Sequence, residues 1–477
     1  MKPVTIKKDD KGAVFLTGST MRHVLVMTST GAIGLVAIFV VDLANLFYIS
    51  LLGVQELAAA VGYAATIMFF SISFCIGFSI AATALTARAI GAGDELAAKK
   101  AATASLIFMF VMCCMIALIM YPLADTFLNL LGAKGETHTL ALEFMHIVIP
   151  SIPLLGVGIC FSSLLRAKGD ARRAMYVTLS AGIAAAIIDP FLIFGLGLGL
   201  KGAALSVVIA RVLFIVVGWH GTHVVHKMLA LPDFRSLTQL SKPFFIIAVP
   251  AVLTQVATPV GNAYVTASIA QFGDDAVAGW AIVGRMFPLA FAAIFSLSGA
   301  AGPILSQNYG AGNFERVNRA MRDSLIFAFV YCFVVWLILV LSSDAIVAVF
   351  SAKGEAAEMV RFYCNFVAGS FIFAAALFVA NAAFNNLGYP LYSTFTNWGR
   401  ATLGVIPFVY VGQAYGPNGV LAGWGLGGVL FGVVSILICF RILKTLPEKK
   451  AKEQELLPSI PSANSPFTSG KGASAGG

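Results

Sequence analysis

An all-α polytopic membrane protein of about twelve transmembrane helices, arranged as two six-helix lobes, is what this sequence predicts. Three observations carry the prediction. The chain is 59% hydrophobic and only 11% charged, with mean hydropathy +0.90, whereas soluble domains carry about 25% charged residues. Long apolar runs recur along its 477 residues, and one set of short motifs returns at a fixed distance. Gly91 to Ala101 reads GAGDELAAKKA and Gly310 to Ala320 reads GAGNFERVNRA; SLIF at Ser105 recurs at Ser324, and AKGE at Ala133 recurs at Ala352. Every match has the same offset, so the chain is two similar halves.

The spans are expected at 24–51, 57–87, 101–122, 140–165, 173–197 and 202–226 in the first half, and at 243–271, 277–306, 323–350, 358–384, 391–412 and 419–443 in the second. Each is long enough to cross a hydrocarbon core, which takes about 20 residues. An even number of spans per repeat makes both halves run the same way, related by a pseudo-two-fold along the membrane normal. The division that follows is an N-terminal segment 1–23, an N-lobe 24–226, a polar linker 227–242 with Pro232, a C-lobe 243–446 and a disordered tail 447–477 rich in Ser, Gly, Pro and Lys.

Charge sets the orientation. Only Lys134, Lys201, Lys353 and Arg361 fall on the side opposite the N-terminus, and Arg211, Arg285 and Arg400 lie within spans; the remaining Lys and Arg of the 31 share the terminal side. That asymmetry puts both termini in the cytoplasm and the chain in the cell inner (plasma) membrane. It also accounts for the net charge of +9 without nucleic acid. The seven Cys sit singly or as a neighbouring pair in apolar runs with no CxxC, and read as small core residues. No GxxxxGK[ST], HExxH or GxSxG is present, so neither an ATP-driven pump nor an enzyme is expected, and no cofactor.

Two carboxylates stand out because charge in a membrane span is expensive and usually belongs to a transport path. Asp42 sits in FVVDLANLFY with apolar residues on both sides, and Asp189 in AIIDPFLIF, where Pro190 removes a backbone donor. The second half offers Asn262 at the place of Asp42 and no acid at that of Asp189. Such a pair, near enough to share protons, would release substrate when protonated; sodium could use the same oxygens with Asn45 and backbone carbonyls. The plain alternative is that each acid caps or ties a helix.

Phe39 and Tyr48 are candidates to line a cavity for flat amphipathic compounds, with Gln255, Asn262 and Arg285 as polar candidates from the second half; Arg285 and Arg400 could be counter-ions or could snorkel to a surface. His220, His223 and His226 have a spacing that suits a metal, though a solvated helix end explains them as well.

LRAKGDARRAM at Leu165 to Met175, IIDPFLIFGLGLGLKGAALSVVIA from Ile187 and the paired GAG loops together resemble the multidrug and toxic compound extrusion (MATE) family over about residues 20–445. The resemblance implies two lobes around a V-shaped cavity and export of amphipathic, often cationic, compounds in exchange for protons or sodium. Asp42 and Asp189 match the first-lobe acids of its DinF-like, often proton-linked branch. Departures are Ala185 in place of an Asn four residues before the helix-five Asp, Met27 in place of a helix-one Pro, and Ser206 only near a helix-six polar position. Helix 1 is thus expected to bend at Gly31 or Gly34, if it bends. The expected partners are membrane lipid, small organic substrates and a proton or sodium ion, with the protein a monomer. A lipid-linked precursor flippase and an uncoupled channel or receptor are the competing readings.

Overall fold

The computed structural model describes residues 12–50 and 55–455; the side chains of Asp42, Leu43, Leu46, Phe47, Ser50, Gln55 and 452–455 lie outside the described set. Residues 1–11 and 456–477, and with them part of the expected terminal segment and most of the expected tail, also lie outside it. Among the described residues every regular element is helical.

The helices are α1 (Thr20–Ser50), α2 (Gln55–Gly91), α3 (Glu95–Leu130), α4 (Gly135–Lys168), α5 (Ala171–Gly195), α6 (Gly199–Val225), α7 (Phe234–Ala270), α8 (Asp274–Ala290 and Ala292–Gly310), α9 (Phe314–Val349), α10 (Gly354–Asn386), α11 (390–412) and α12 (Gly416–Glu455). α11 and α12 form one apolar stretch of 62 residues, about three times what a single crossing needs. Glycine resolves it into an antiparallel hairpin. A Cβ placed on Gly412 would lie 2.2 Å from Gly419 O, one on Gly423 2.4 Å from Phe408 O, and one on Gly427 1.9 Å from Gly404 O. Each contact steps four residues back along one helix and four forward along the other, so the two backbones touch along one stripe of small residues.

The repeat in sequence is a repeat in backbone conformation. Gly93 and Gly312 have φ 76° and 73°, and Gly135 and Gly354 have φ 57° and 54°, values open to glycine at little cost. Asp94 and Asn313 cap the next helix identically, accepting from Ala97 N at 2.8 Å and Arg316 N at 3.1 Å.

One feature decides a point that the sequence left open, and two depart from the sequence reading. α1 runs as one helix through Gly31 and Gly34; those glycines serve close approach instead, to Ser296 Oγ and Thr178 Oγ1. α8 bends by 45° at Phe291, where Pro288 has removed a helix hydrogen bond. α7 begins at Phe234, capped by Asp233, within the stretch expected as linker, and α12 continues through Pro447 to Glu455. The extension of α12 is anchored by Lys449 Nζ, which donates to Leu387 O at 3.1 Å and Gly388 O at 2.7 Å.

Two main apolar cores form, and two helices change between them. The inner half of α7, with Phe244, Ile247, Ala248 and Val252, packs in the N-lobe core, whereas its outer Val265 and Ile269 pack in the C-lobe core. α1 does the reverse, with Val24 and Met27 in the C-lobe core and Ile49 in the N-lobe core. Among the described residues the lobes thus interlock on the side that carries both ends of the described chain. There Gly91 of α2 meets Gln307 of α8, and its repeat mate Gly310 meets Arg88 of α2. Phe15 is 1% exposed beneath this crossing; its N–H donates to Gln307 Oε1 at 3.1 Å, and Gln307 Nε2 donates to Ala167 O at 2.7 Å.

Candidate functional site

α1 and α5 run side by side in the same direction, and their register places the site. A Cβ on Gly34 would lie 2.3 Å from Thr178 Oγ1, and the next close pair keeps the same spacing: Asn45 Nδ2 donates to Asp189 Oδ2 at 2.9 Å. Small residues at Gly34 and Gly182 bring the backbones near enough for the short Asn and Asp side chains to meet. Pro190 follows at once, and the chain loosens into a π turn at Phe191–Gly195, as happens where an intrahelical donor is missing.

Asp189 is 1% exposed, and its second oxygen, Oδ1, is enclosed with no hydrogen-bond partner. Ser206 of α6 is fully buried beside the same carboxyl group, and its Oγ makes no hydrogen bond of ordinary geometry. A half-satisfied carboxylate next to an idle hydroxyl is rare in a buried place. It can take a proton on Oδ1, or share a small cation with Ser206 and neighbouring carbonyls. Asn45, by its amide donor, holds Oδ2 in place in either state.

Asp42 lies in α1 one turn before Asn45, a spacing that shares a helix face; its side chain lies outside the described residues. Tyr48 lies one turn after and meets Phe194 edge-on at 6.4 Å between centroids. Phe39 is half-buried on α1. The remaining candidates belong to the C-lobe and do not meet Asp189: Gln255 and Asn262 are half-buried on α7, and Arg285 is exposed on α8. Two groups were undervalued in the sequence. Ser206 carried no role there because nothing local marks it, and Arg400 proves to bond Thr258 Oγ1 at 3.0 Å.

The histidines separate. His226 Nε2 meets Asp170 Oδ2 at 2.8 Å while His223 stacks on Trp219 at 4.4 Å, and no metal-holding group of His, Cys, Asp and Glu occurs among the described residues. The Asp170 carboxyl lies below the ordinary carboxylate range: burial pushes it up, but the Arg173 N–H, the His226 ring and the Arg173 guanidinium outweigh that. Arg211 is a structural tie, donating through Nη1 to Val148 O at 3.0 Å and Ser151 Oγ at 2.6 Å where α4 is broken by a 3-10 turn.

Comparison with known proteins adds the following. The MatE family model matches residues 32–191 and 250–411. Relatives include the FAD transporter of Shewanella oneidensis, 26% identical over 91% of this chain and 97% of that protein, and the multidrug export protein MepA of Staphylococcus aureus, 24% identical over 88% and 93%. The crystal structure of the Vibrio cholerae MATE transporter VcmN superposes with TM-score 0.86 at 23% identity, covering 90% of this chain and 98% of that one. An outward-facing MATE family transporter gives TM-score 0.87 at 22% identity over 93% and 100%. At such identities the structural likeness bears on the fold.

Proposed function

The chain belongs to the MatE family and is a multi-pass membrane transporter of small molecules, and from that premise we propose a secondary antiporter that exports amphipathic, chiefly cationic, organic compounds in exchange for protons. It works as a monomer in the inner membrane with cytoplasmic termini. The observation that carries the coupling is the half-satisfied Asp189 carboxyl, held by Asn45 on one oxygen and open on the other.

With Asp189 charged, the N-lobe presents a negative group and binds a cation from the cytoplasm. Arrival of a proton from the far side cancels that charge, and substrate leaves. Asp42, one turn inward on α1, is the second proton carrier. The voltage adds about 2.3 kcal/mol per charge per 100 mV to each inward proton. Exchange of α1 and α7 between the two cores supports rocking, because opening the terminal side requires both inner halves to leave the opposite lobe. The interlobe hydrogen bonds among the described residues, such as Arg88 Nη2 to Asn386 O at 3.1 Å and Ser296 Oγ to Thr28 O at 2.8 Å, lie on that side.

Uptake of ethidium into inverted vesicles under an imposed pH gradient tests the reading. Uptake should collapse with a protonophore and vanish in Asp189→Asn and Asp42→Asn. Uptake that follows a sodium gradient and ignores pH would transfer the coupling to sodium, and retained uptake in both variants would refute the acid pair.

A further inference from the structure

The cationic reading leaves one half-buried charge of the wrong sign unused. Arg400 is the middle of α11, ten residues past Pro390 and twelve before Gly412, and a π turn, Arg400–Gly404, begins there. Such turns often mark functional positions within helices. Its Nη2 donates to Thr258 Oγ1 of α7 at 3.0 Å, while Nε is enclosed and has no partner. No carboxylate lies within ion-pair distance of it among the described residues. A guanidinium offers five donors and no acceptor and stays protonated. At mid-membrane its charge is costly unless something answers it.

Further polar side chains share the face of α7 that carries Thr258. Gln255 and Asn262 stand three residues before and four after Thr258, on the same face of α7, and both are half-buried. Their amides carry further donors. The group lies beyond the point where α7 leaves the N-lobe core. α7 leaves the N-lobe core at Val252, whose backbone would lie 2.7 Å from a Cβ on Gly77 of α2. Thr258 lies six residues farther out, about 9 Å along the helix. Arg211, another arginine within a span, differs in that its bonds to α4 explain it.

We propose that Arg400, Thr258 and the amides of Gln255 and Asn262 form an anion subsite in the C-lobe that takes the phosphate or carboxylate of an amphipathic soluble substrate. The transported molecules then include zwitterions, with the oxyanion in the C-lobe and the cationic group toward the N-lobe acids. This rests on the export reading for its purpose, but binding reads it separately.

Flavin mononucleotide and riboflavin differ by one phosphate, so their affinities for the purified full-length protein, measured by flavin fluorescence anisotropy, isolate the subsite. The native protein should prefer the mononucleotide by about tenfold or more, the scale of one charge-assisted bidentate contact. Arg400→Gln should bring the ratio to about 1, Arg400→Lys should keep part of it, and Thr258→Val should lower it about threefold. Equal affinities in the native protein, or an unchanged ratio in Thr258→Val together with either Arg400 variant, would overturn the proposal. Displacement of the mononucleotide by an equal concentration of dioctanoyl phosphatidate would assign the anion to a lipid and overturn the soluble-substrate claim. The ethidium test reads Asp189 and Asp42, so either idea can fail alone.

Discussion

Replacing Gly91 by Ala should open the terminal side of the protein. The added Cβ would sit 1.9 Å from Gln307 O and 2.6 Å from the Gln307 carbonyl carbon and Cα. Contact between carbon and such atoms is comfortable only near about 3.5 Å, so α2 and α8 must separate by roughly 1.5 Å. Gln307 O cannot swing aside, because it already accepts the helix-ending bond from Ala311 N at 3.0 Å. Overpacking of this kind costs about 1–3 kcal/mol. The cost falls only on the state in which the two helices touch, so it shifts the ratio of the two access states by roughly 5- to 150-fold, at 1.4 kcal/mol per tenfold.

Gly310→Ala, whose Cβ would meet Arg88 O at 2.1 Å, should act in the same way, by the same symmetry. Nitroxide labels at Leu130 and Val349, which are 83% and 80% exposed at the far ends of α3 and α9, would report the change as a shorter inter-label distance. Gly62→Ala is the control, since nothing lies within 4 Å of its Cβ. If Gly91→Ala leaves the distance distribution unchanged, or if Gly62→Ala shifts it equally, the crossing of α2 and α8 is not what closes this side.

Further outcomes follow from individual bonds. Asn45→Leu removes the hydrogen bond that Asn45 donates to Asp189 Oδ2, and stranding a buried polar group costs about 1–3 kcal/mol, so ethidium uptake should fall about tenfold in the vesicle assay. Arg316 donates to the carbonyls of Phe15, Thr17 and Gly18 at 2.8, 3.2 and 3.0 Å; Arg316→Ala should lower thermal stability in detergent by several degrees, with about 1.5–3 kcal/mol lost per charge-assisted contact region. The lowered Asp170 pKa means the folded state binds this proton less readily than the unfolded chain. Its stabilisation is present above the unfolded value of about 3.9 and is lost as pH falls through the lower folded value. Asp170→Asn should therefore reduce stability at pH 7 and flatten its decline below about pH 4, as followed by thermal melts across pH.

Composition, span count and repeat were legible because each is additive along the chain. Twenty apolar residues must find lipid wherever they are placed, and the 219-residue match between the halves survives as matching caps and left-handed glycines at Asp94 and Asn313, Gly93 and Gly312. Asp189 stood out for a similar reason, since an acid beside proline in an apolar run is conspicuous without any neighbour. What lay beyond the sequence were pairings across helices. Ser206 faces a carboxyl seventeen residues away along the chain but on another helix, and Arg400 reaches Thr258 through the register of α7 against α11. Gly91 and Gly310 were visible as loop signals, whereas their contact across the pseudo-axis was not.

Local chemistry determined what each segment would be and which side of the membrane its charges would prefer. The tertiary structure alone decided which backbones come close enough to touch. Those contacts depend on helix register and on which lobe α1 and α7 pack into at each depth, and neither is encoded by any single stretch of residues.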